Sequence, residues 1–381
     1  MHTLRDIEHL TGVRVLARVD FNVPIRNGVV ADDTRIKAAL PTIDYLRTRG
    51  AKVILISHLE GNDGENPSLQ PVADHLNNKL GLKVSFIKNI RTANDLIENE
   101  LKDGECMLLE NLRFQDGEKA NDPKFARELA SLGDIYVNDA FPVCHREHAS
   151  IVGVPKFLPS YAGLQLEKEV AHLSKVFNPP HPFLFILGGA KFETKMPLIQ
   201  RFMGSADTVF VGGALANDLF KAKGYETGKS KLSVGDIDVG PLLANPKLML
   251  PADVTVADKT VKAPDALGAE DVMMDAGPKT VAELQGKINA AKLILWNGPL
   301  GMYEDGYRGP TLDLARAIGA ATPHGATTIV GGGDTLAAIA ALGIDDQFTW
   351  ISTGGGAMLD FLAKGTLPGI QALEEAAKRE G

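Results

Sequence analysis

The chain has 381 residues, 44% of them hydrophobic and 23% charged, which is the composition of an ordinary folded protein. Its 40 Lys and Arg against 48 Asp and Glu give a formal charge of −8, which excludes general electrostatic attraction to nucleic acid or anionic membrane. With two cysteines and neither a signal-peptide core nor a long apolar run, we expect a cytoplasmic protein without a disulfide framework. At about 150 residues per domain, the length predicts two or three domains, of which we expect two.

Apolar runs in the first half predict buried strands, and helical patterns lie between them. The runs cover residues 14–24, 51–58, 82–87, 105–114 and 134–141, and the helical patterns include 68–81 and 122–133. Each of these helices has an N-cap type residue at its start and glycine at its end. The strands end on polar side chains, which indicates a small ligand bound by side chains: Asp20, Asn22, His58, Asn111, Arg113, Asn138, Asp139 and, further on, Arg146.

The middle of the chain predicts a helix between two domains. Residues 164–177 have apolar side chains at mostly helical spacing, and Asn178-Pro179-Pro180 ends the pattern. A further segment, 367–380, follows the last predicted strand and is expected to pack back across the join.

Apolar runs in the second half end on small residues instead. They cover 183–191, 208–214, 292–299, 327–335 and 348–357, and most end on glycine clusters followed by a helical pattern. Glycine lets backbone N–H groups approach a ligand closely, and the positive end of the next helix points to the same place. This half therefore predicts a nucleotide or phosphate site.

The alternation of strands and helices predicts an α/β protein with two Rossmann-like, doubly wound domains, each with a mainly parallel sheet flanked by helices. We expect an N-terminal domain over 1–163, an interdomain helix over 164–178, a C-terminal domain over 179–362 and a returning segment over 363–381.

A series of motifs resembles one family in order and spacing. It includes RVDFNVP (18–24), LLENLRF (108–114), HREHAS (145–150), LGGAKFETK (187–195), WNGPLGMYE (296–304), GGGDT (331–335) and STGGGA (352–357). Together they resemble phosphoglycerate kinases and span nearly the whole chain. The resemblance implies reversible phosphoryl transfer from 1,3-bisphosphoglycerate to ADP, giving 3-phosphoglycerate and ATP in glycolysis or gluconeogenesis. It also implies that phosphoglycerate binds the first domain, nucleotide binds the second, and the two close over the substrates by hinge bending.

The resemblance also implies roles for single residues. Arg35, Lys191, Gly332 and Gly355 would be the catalytic groups, and Asp334 would hold Mg²⁺ with ADP or ATP. The phosphoglycerate would bind Asp20, Asn22, Arg35, His58, Arg113 and Arg146. The nucleotide would bind Gly189, Lys191, Lys195, Gly213, Asn297, Glu304, Gly331, Gly332, Gly333, Asp334 and Thr335. We expect a monomer whose partners are these small molecules, with no nucleic acid or membrane partner.

One departure from the family pattern leaves alternatives open. Glu60 and Gly61 stand where members have glycine and a substrate-binding arginine. The change weakens phosphoglycerate binding, is compensated by a residue such as Arg91, or marks a paralogue with another acyl-phosphate substrate. A non-catalytic binding protein on the same fold is a further alternative. Ala214 and the pair Met273-Met274 also depart from the pattern and leave the base preference open.

Overall fold

A computed structural model of the chain describes residues 1–61, 66–233 and 239–380. The chain forms two compact units, Met1–Ala171 with Thr366–Gly381, and His172–Gly365. The predicted domain boundaries at 163 and 178 remain predictions. No helix in the described ranges is long and apolar enough to span a membrane.

The first unit is built on a parallel six-stranded sheet with the order β5-β6-β4-β1-β7-β8. Strand β1 lies between β4 and β7, so that Val15 is opposite Val53 on one side and Ile135 on the other. In chain order the elements are β1 (Arg14–Arg18), β2 (Ile25–Arg26), β3 (Val29–Val30), α1 (Thr34–Thr48), β4 (Lys52–Ile56), α2 (Gln70–Asn78), β5 (Val84–Ile87), α3 (Ala93–Glu100), β6 (Cys106–Leu109), α4 (Asp116–Lys119), α5 (Pro123–Ala130), β7 (Ile135–Asn138), β8 (Ser160–Ala162) and α6 (Leu164–Leu173), whose last two residues belong to the second unit. Strands β2 and β3 form a separate antiparallel hairpin.

Local sequence explains the elements that were predicted here. All four residues of β6 are buried, as expected for a parallel strand covered on both faces. Helix α5 begins after Asp122, whose carboxylate accepts hydrogen bonds from the N–H groups of Lys124 and Phe125. Helix α2 begins at Gln70, two residues later than predicted, because the Ser68 hydroxyl accepts from the Gln70 N–H in the preceding turn.

The second unit has a parallel sheet with the order β11-β10-β9-β15-β16-β17. Counted within that sheet this is the order 3-2-1-4-5-6, in which the direction of winding reverses between β9 and β15. The elements are β9 (Phe183–Leu187), α7 (Phe192–Ser205), β10 (Thr208–Val211), α8 (Ala214–Ala222), α9 (Gly240–Leu243), β11 (Leu248–Met249), β12 (Val254–Val256), β13 (Val261–Lys262), β14 (Met273–Ala276), α10 (Pro278–Ala290), β15 (Leu293–Asn297), α11 (Gly309–Ala321), β16 (Thr327–Gly331), α12 (Gly333–Leu342), β17 (Trp350–Ser352) and α13 (Gly356–Lys364).

A small antiparallel sheet in the second unit, β13-β12-β14, was not predicted. Its strands have two to four residues, too few for an alternating pattern to be recognised. The two parallel sheets with their intervening helices confirm the predicted fold class.

The helix predicted over 164–177 is α-helical only to Leu173 and ends in a 3₁₀ turn, Ser174–Phe177. Its start is held by the Asp139 carboxylate, which accepts from the N–H groups of Gln165 at 2.8 Å and Leu166 at 3.2 Å. The final helix, α14 (Pro368–Glu380), belongs to the first unit, where the Gly369 N–H donates to the Cys144 carbonyl.

Replacing Asp139 with asparagine should raise the thermal unfolding temperature, and more at pH 8 than at pH 5. Burial raises the pKa of the Asp139 carboxyl to about 7. The folded state therefore keeps a proton that the unfolded chain releases between about pH 4 and pH 7, so stability from this group is lost as the pH rises through that window. Asparagine still offers an oxygen to Gln165 and Leu166 but has no proton to release. Thermal midpoints at the two pH values test this, and equal shifts at both would contradict it.

Candidate functional site

Polar side chains of the first unit follow four neighbouring strands of its sheet. Asp20 comes after β1, His58 after β4, Arg113 after β6 and Arg146 after β7. These strands have the order β6-β4-β1-β7 and run parallel, so their carboxyl ends share one edge of the sheet. The residues predicted to bind phosphoglycerate are thus placed along a single edge.

Arg35 is the second residue of α1 and is bound to the segment after β1. Its Nη1 donates to Asp20 Oδ2 at 3.1 Å and to the Asn22 carbonyl at 3.3 Å. The Asp20 side chain is 7% exposed and that of Arg35 is 34% exposed, so the arginine retains contact with solvent. This ion pair holds the guanidinium close to the segment after β1, on the side of the sheet where the carboxyl ends of the strands lie.

His58 is fully buried beside Arg18, a residue that the sequence analysis did not select. The Nδ1 atom of His58 lies 2.9 Å from Arg18 Nη2. Arginine only donates, so Nδ1 must accept and Nε2 carries the proton. Burial and the charges of Arg18 and Arg113 hold the pKa of His58 well below its usual value, so the ring is neutral. Its buried Nε2–H has no partner within the described residues.

Arg113 is a buried cation, and two of its side-chain nitrogen atoms have no hydrogen-bond partner among the described residues. Its side chain is 2% exposed, and only Nη1 has a recorded partner, Glu60 Oε1 at 3.1 Å. Within the described part of the chain, Nε and Nη2 have no hydrogen-bond acceptor. Buried donors are nearly always paired, so this edge of Arg113 is suited to an acceptor from outside the chain.

Asn111 holds the backbone around Arg113. Its Nδ2 donates to the carbonyls of Leu59 and Pro67 at 2.8 and 2.7 Å, and its Oδ1 accepts from the N–H of Arg113 at 3.0 Å. The single side chain thereby joins the turn after β6 to the loop after β4, which carries Glu60.

Glu60 lies between the two arginines. Its Oε1 is 2.8 Å from Arg146 Nη1 as well as 3.1 Å from Arg113 Nη1. Burial acts to raise the pKa of Glu60, but the hydrogen bond from Arg146 and both arginine charges outweigh it, so the pKa lies below its usual value. Arg91, considered above as a compensating cation, lies in the 3₁₀ turn Ile90–Thr92 after the edge strand β5. Asn62 and Asp63 of the same loop lie outside the described residues.

His148 was also missed, although it lies in the HREHAS motif. Burial, with the positive charges of Arg113 and Arg146, lowers its pKa to about 4. It is therefore a second neutral imidazole next to the arginines. Its position two residues after Arg146 was the only signal in the sequence.

The glycine-rich turns of the second unit meet where its winding direction reverses. After β9, Gly188 approaches the turn after β15 so closely that a Cβ atom would lie 2.0 Å from the Pro299 carbonyl oxygen. Gly213, with φ of +61°, lies against Gly189 in the same way. Only glycine is compatible with these contacts, so the predicted turns pack against each other as well as exposing backbone amides.

Lys195 lies in the first half of α7, beneath these turns. Its Nζ donates to the Gly188 carbonyl at 2.6 Å and lies 3.4 Å from Asn297 Oδ1. Burial lowers its pKa to about 8, while the Asp334 carboxylate acts to raise it. Lys191 occupies the exposed position just before α7.

Two helices begin on glycines that have positive φ. Gly332 precedes α12 with φ of +101°, and Gly355 precedes α13 with φ of +53°. Asp334 is in the first turn of α12, whereas Thr335 is buried and accepts from the Gly298 N–H at 2.9 Å. The threonine thus holds the neighbouring loop, and its role toward a nucleotide stays a prediction. Gly331 is the last residue of β16, and Gly333 the first of α12.

A cavity of about 190 Å³ opens beside these turns. It is lined by residues that include Gly189, Lys231, Tyr303, Glu304 and Asp334. Lys231 was not selected from the sequence, where it stands among loop residues without a motif. The lining brings glycine backbone, one lysine and three carboxylates to one cavity, which suits a phosphorylated ligand with a hydroxyl-bearing portion.

Asp334 suits a magnesium ion that is shared with phosphates. The described residues contain no group of three acidic, histidine or cysteine side chains able to hold a metal ion by themselves. Mg²⁺ commonly takes one or two protein carboxylates and completes its shell with phosphate oxygens and water. A single carboxylate at the start of a glycine-capped helix fits that requirement.

Comparisons with known proteins agree with the motifs. A family profile described as phosphoglycerate kinase matches residues 4–365. The chain is 46% identical to phosphoglycerate kinase from Chlorobium luteolum, with 97% of this chain and 98% of the relative covered. It is 44% identical to that from Dictyoglomus turgidum, with 98% of each covered.

Solved structures give the same result. The structure of phosphoglycerate kinase from Coxiella burnetii has a TM-score of 0.85 and 37% identity, covering 98% of this chain and 99% of that one. That from Pyrococcus horikoshii has a TM-score of 0.85 and 32% identity over the whole of both chains. The match covers both sheets and nearly every motif described above, and the chain belongs to the phosphoglycerate kinase family.

Proposed function

We propose that the chain catalyses reversible phosphoryl transfer from 1,3-bisphosphoglycerate to ADP, with the acid bound by the first unit and the nucleotide by the second. The observation that carries the proposal is the set of buried donors without partners in the described first unit, Arg113 Nε and Nη2 and His58 Nε2. A member of this kinase family that keeps such donors is equipped to receive an anion. No observation favours a non-catalytic protein or a different acyl phosphate.

On the acid side, each residue type suits one group of a phosphoglycerate. Arg113 offers the paired Nε and Nη2 donors that match phosphate or carboxylate oxygens. Neutral His58 donates through Nε2 without adding a charge that would need a counter-ion. Asp20 and the Asn22 amide are polar partners for the glycerate hydroxyl. Arg35 extends from α1 toward the group to be transferred.

On the nucleotide side, Lys195 and the amides at Gly332 and Gly355 bind phosphates, and Glu304 accepts from the ribose. Asp334 would hold Mg²⁺ together with the nucleotide phosphates. When bound there, the ion would supply positive charge beside the phosphate oxygens. Lys191 acts on the same transferring group.

Catalysis by these groups is alignment and charge neutralisation. An acyl phosphate and ADP already present ionised oxygens, so no general base is needed. Arg35 belongs to the first unit and Lys191 to the second, and exclusion of water from the reacting groups would limit hydrolysis of the acyl phosphate. We infer that the enzyme works as a cytoplasmic monomer without nucleic acid.

A coupled assay for ATP formation from 1,3-bisphosphoglycerate and MgADP tests the proposal. We expect turnover with this substrate well above that with acetyl phosphate or another acyl phosphate in a panel. A preference for a different acyl phosphate would support the paralogue instead, and absence of transfer with every donor would support a binding protein.

Binding of MgADP at pH 8 should take up about half a proton per chain. Lys195, whose pKa burial lowers to about 8, is half neutral at that pH, and bound phosphates favour its charged form. Calorimetry in buffers of different ionisation enthalpy measures the uptake. The control is Lys195→Arg, which stays charged and should show none. Equal uptake in both proteins would assign the proton to another group.

A further inference from the structure

Two asparagine side chains hold the backbone of Leu59 and Glu60 in place. Its own N–H donates to Asn22 Oδ1 at 2.9 Å, and the preceding Leu59 exchanges hydrogen bonds with Asn111 through both its N–H and its carbonyl. The loop after β4 is thus tied to the segment after β1 and to the turn after β6. A side chain at position 60 is directed by these ties to the edge where the arginines lie.

The carboxylate makes the contacts that an anionic ligand would make. One oxygen, Oε1, binds Nη1 of Arg113 and Nη1 of Arg146 at 3.1 and 2.8 Å. The two guanidinium groups come from different strand ends, after β6 and after β7, and their shared partner is this single oxygen. A phosphate or carboxylate oxygen bridging the same pair would have to occupy the same position.

Glu60 satisfies only part of the cluster. Arg113 keeps Nε and Nη2 without partners in the described residues, and His58 keeps Nε2. An incoming anion can therefore bind Arg113 through Nε and Nη2 while Glu60 stays in place, but it then lies near a like charge. Alternatively, it can displace Glu60 from Arg146. Both routes lower the net gain from binding, since Coulomb repulsion or a lost ion pair must be offset.

We propose that Glu60 is an internal counter-ion that competes with the anionic substrate for Arg113 and Arg146, and so sets the affinity of the acid site. The ligand named here, 3-phosphoglycerate, rests on the proposed function, whereas competition for the arginines does not.

Glu60→Gln is the direct test, because the amide is nearly the same size and uncharged. The dissociation constant for 3-phosphoglycerate, from calorimetry on the full chain, should fall by about tenfold. Affinity should also decrease more steeply with added KCl in the variant, because the arginines then carry more uncompensated charge. The KM for MgATP should stay within about twofold.

Glu147→Gln is the matched control. Glu147 is exposed, follows Arg146 directly, and has no recorded hydrogen bond or ion pair within residues 1–61, 66–233 and 239–380. Glu147→Gln removes one negative charge, as Glu60→Gln does, but it breaks no ion pair with an arginine. The affinity for 3-phosphoglycerate should therefore change by less than about twofold. If Glu60→Gln does not fold, Glu60→Gly provides the second variant, with the same expected gain.

The outcomes separate this inference from the proposed function. Unchanged or weaker binding in Glu60→Gln would overturn the inference, and weaker binding would make Glu60 a residue that positions the arginines. Inorganic phosphate serves as a second probe in thermal-shift titrations. If no variant transfers phosphate to 3-phosphoglycerate but Glu60→Gln binds inorganic phosphate more tightly than the wild type, the proposed function fails and the inference stands.

Discussion

Replacing Arg35 with alanine should lower turnover by about 10³- to 10⁵-fold while binding of MgADP changes little. A guanidinium that meets the transferring phosphoryl group typically contributes a factor of this size. Arg35 is placed for such a role, because its Nη1 is anchored by Asp20 and the Asn22 carbonyl while about a third of the side chain stays exposed. Steady-state kcat at saturating substrates is the measurement.

The control for this change lies on the same helix. Arg47 pairs with Asp44 at 3.1 Å and is as exposed as Arg35, so Arg47→Ala removes an ion pair of the same length, to a more exposed carboxylate, far along α1. Its kcat should be within about twofold of the wild type. Added guanidinium ion should restore part of the activity of Arg35→Ala if the charge acts in transfer. Unchanged turnover in Arg35→Ala would assign Arg35 to a structural ion pair.

Lys195→Met should weaken MgADP binding by on the order of 100-fold, which corresponds to the loss of a charge-assisted hydrogen bond. Lys195 is part-buried, and its ammonium group donates to the Gly188 carbonyl at 2.6 Å and lies 3.4 Å from Asn297 Oδ1. The dissociation constant from calorimetry measures the effect, and the affinity for 3-phosphoglycerate should be unchanged.

Lys221→Met is the comparison for this second change. Lys221 is exposed near the end of α8 and belongs to the same unit, so the variant removes one positive charge from the surface. Nucleotide affinity should then change by less than about twofold. An equal loss in both variants would mean that general positive charge, and not the Lys195 ammonium group at this turn, holds the nucleotide.

The contacts of Glu60 explain what the departure from the family motif at positions 60 and 61 changes in this site. The sequence showed that an arginine was replaced by glycine and that an acidic residue had entered beside it. The structure shows that the acidic residue pairs with two of the remaining arginines and offsets one of their two charges, so the loss of positive charge at this edge exceeds the single missing side chain. The two changes together should make this site weaker for anions than a site with the usual motif.

The family, the fold class and most of the elements were predictable from the sequence. The parallel strands are short runs of apolar side chains, and such runs are buried in a sheet covered on both faces. The helix starts are also set locally, as where Asp122 accepts hydrogen bonds from the N–H groups two and three positions later at the start of α5. The ordered motifs also selected Arg35, Lys195 and the glycine turns. The antiparallel strands Val254–Val256 and Val261–Lys262 were missed, because two or three residues have no recognisable period.

Sequence by itself determined which side chains and glycines are present and which local elements they form, because hydrophobic period, capping and turn chemistry act over a few neighbouring residues. Only the tertiary structure decided that Glu60 meets Arg146, 86 positions away, and that His58 is a neutral donor beside buried Arg18. Strand order brings these residues together, and burial then sets their charge and their partners. Neither property can be read from the spacing of residues along the chain.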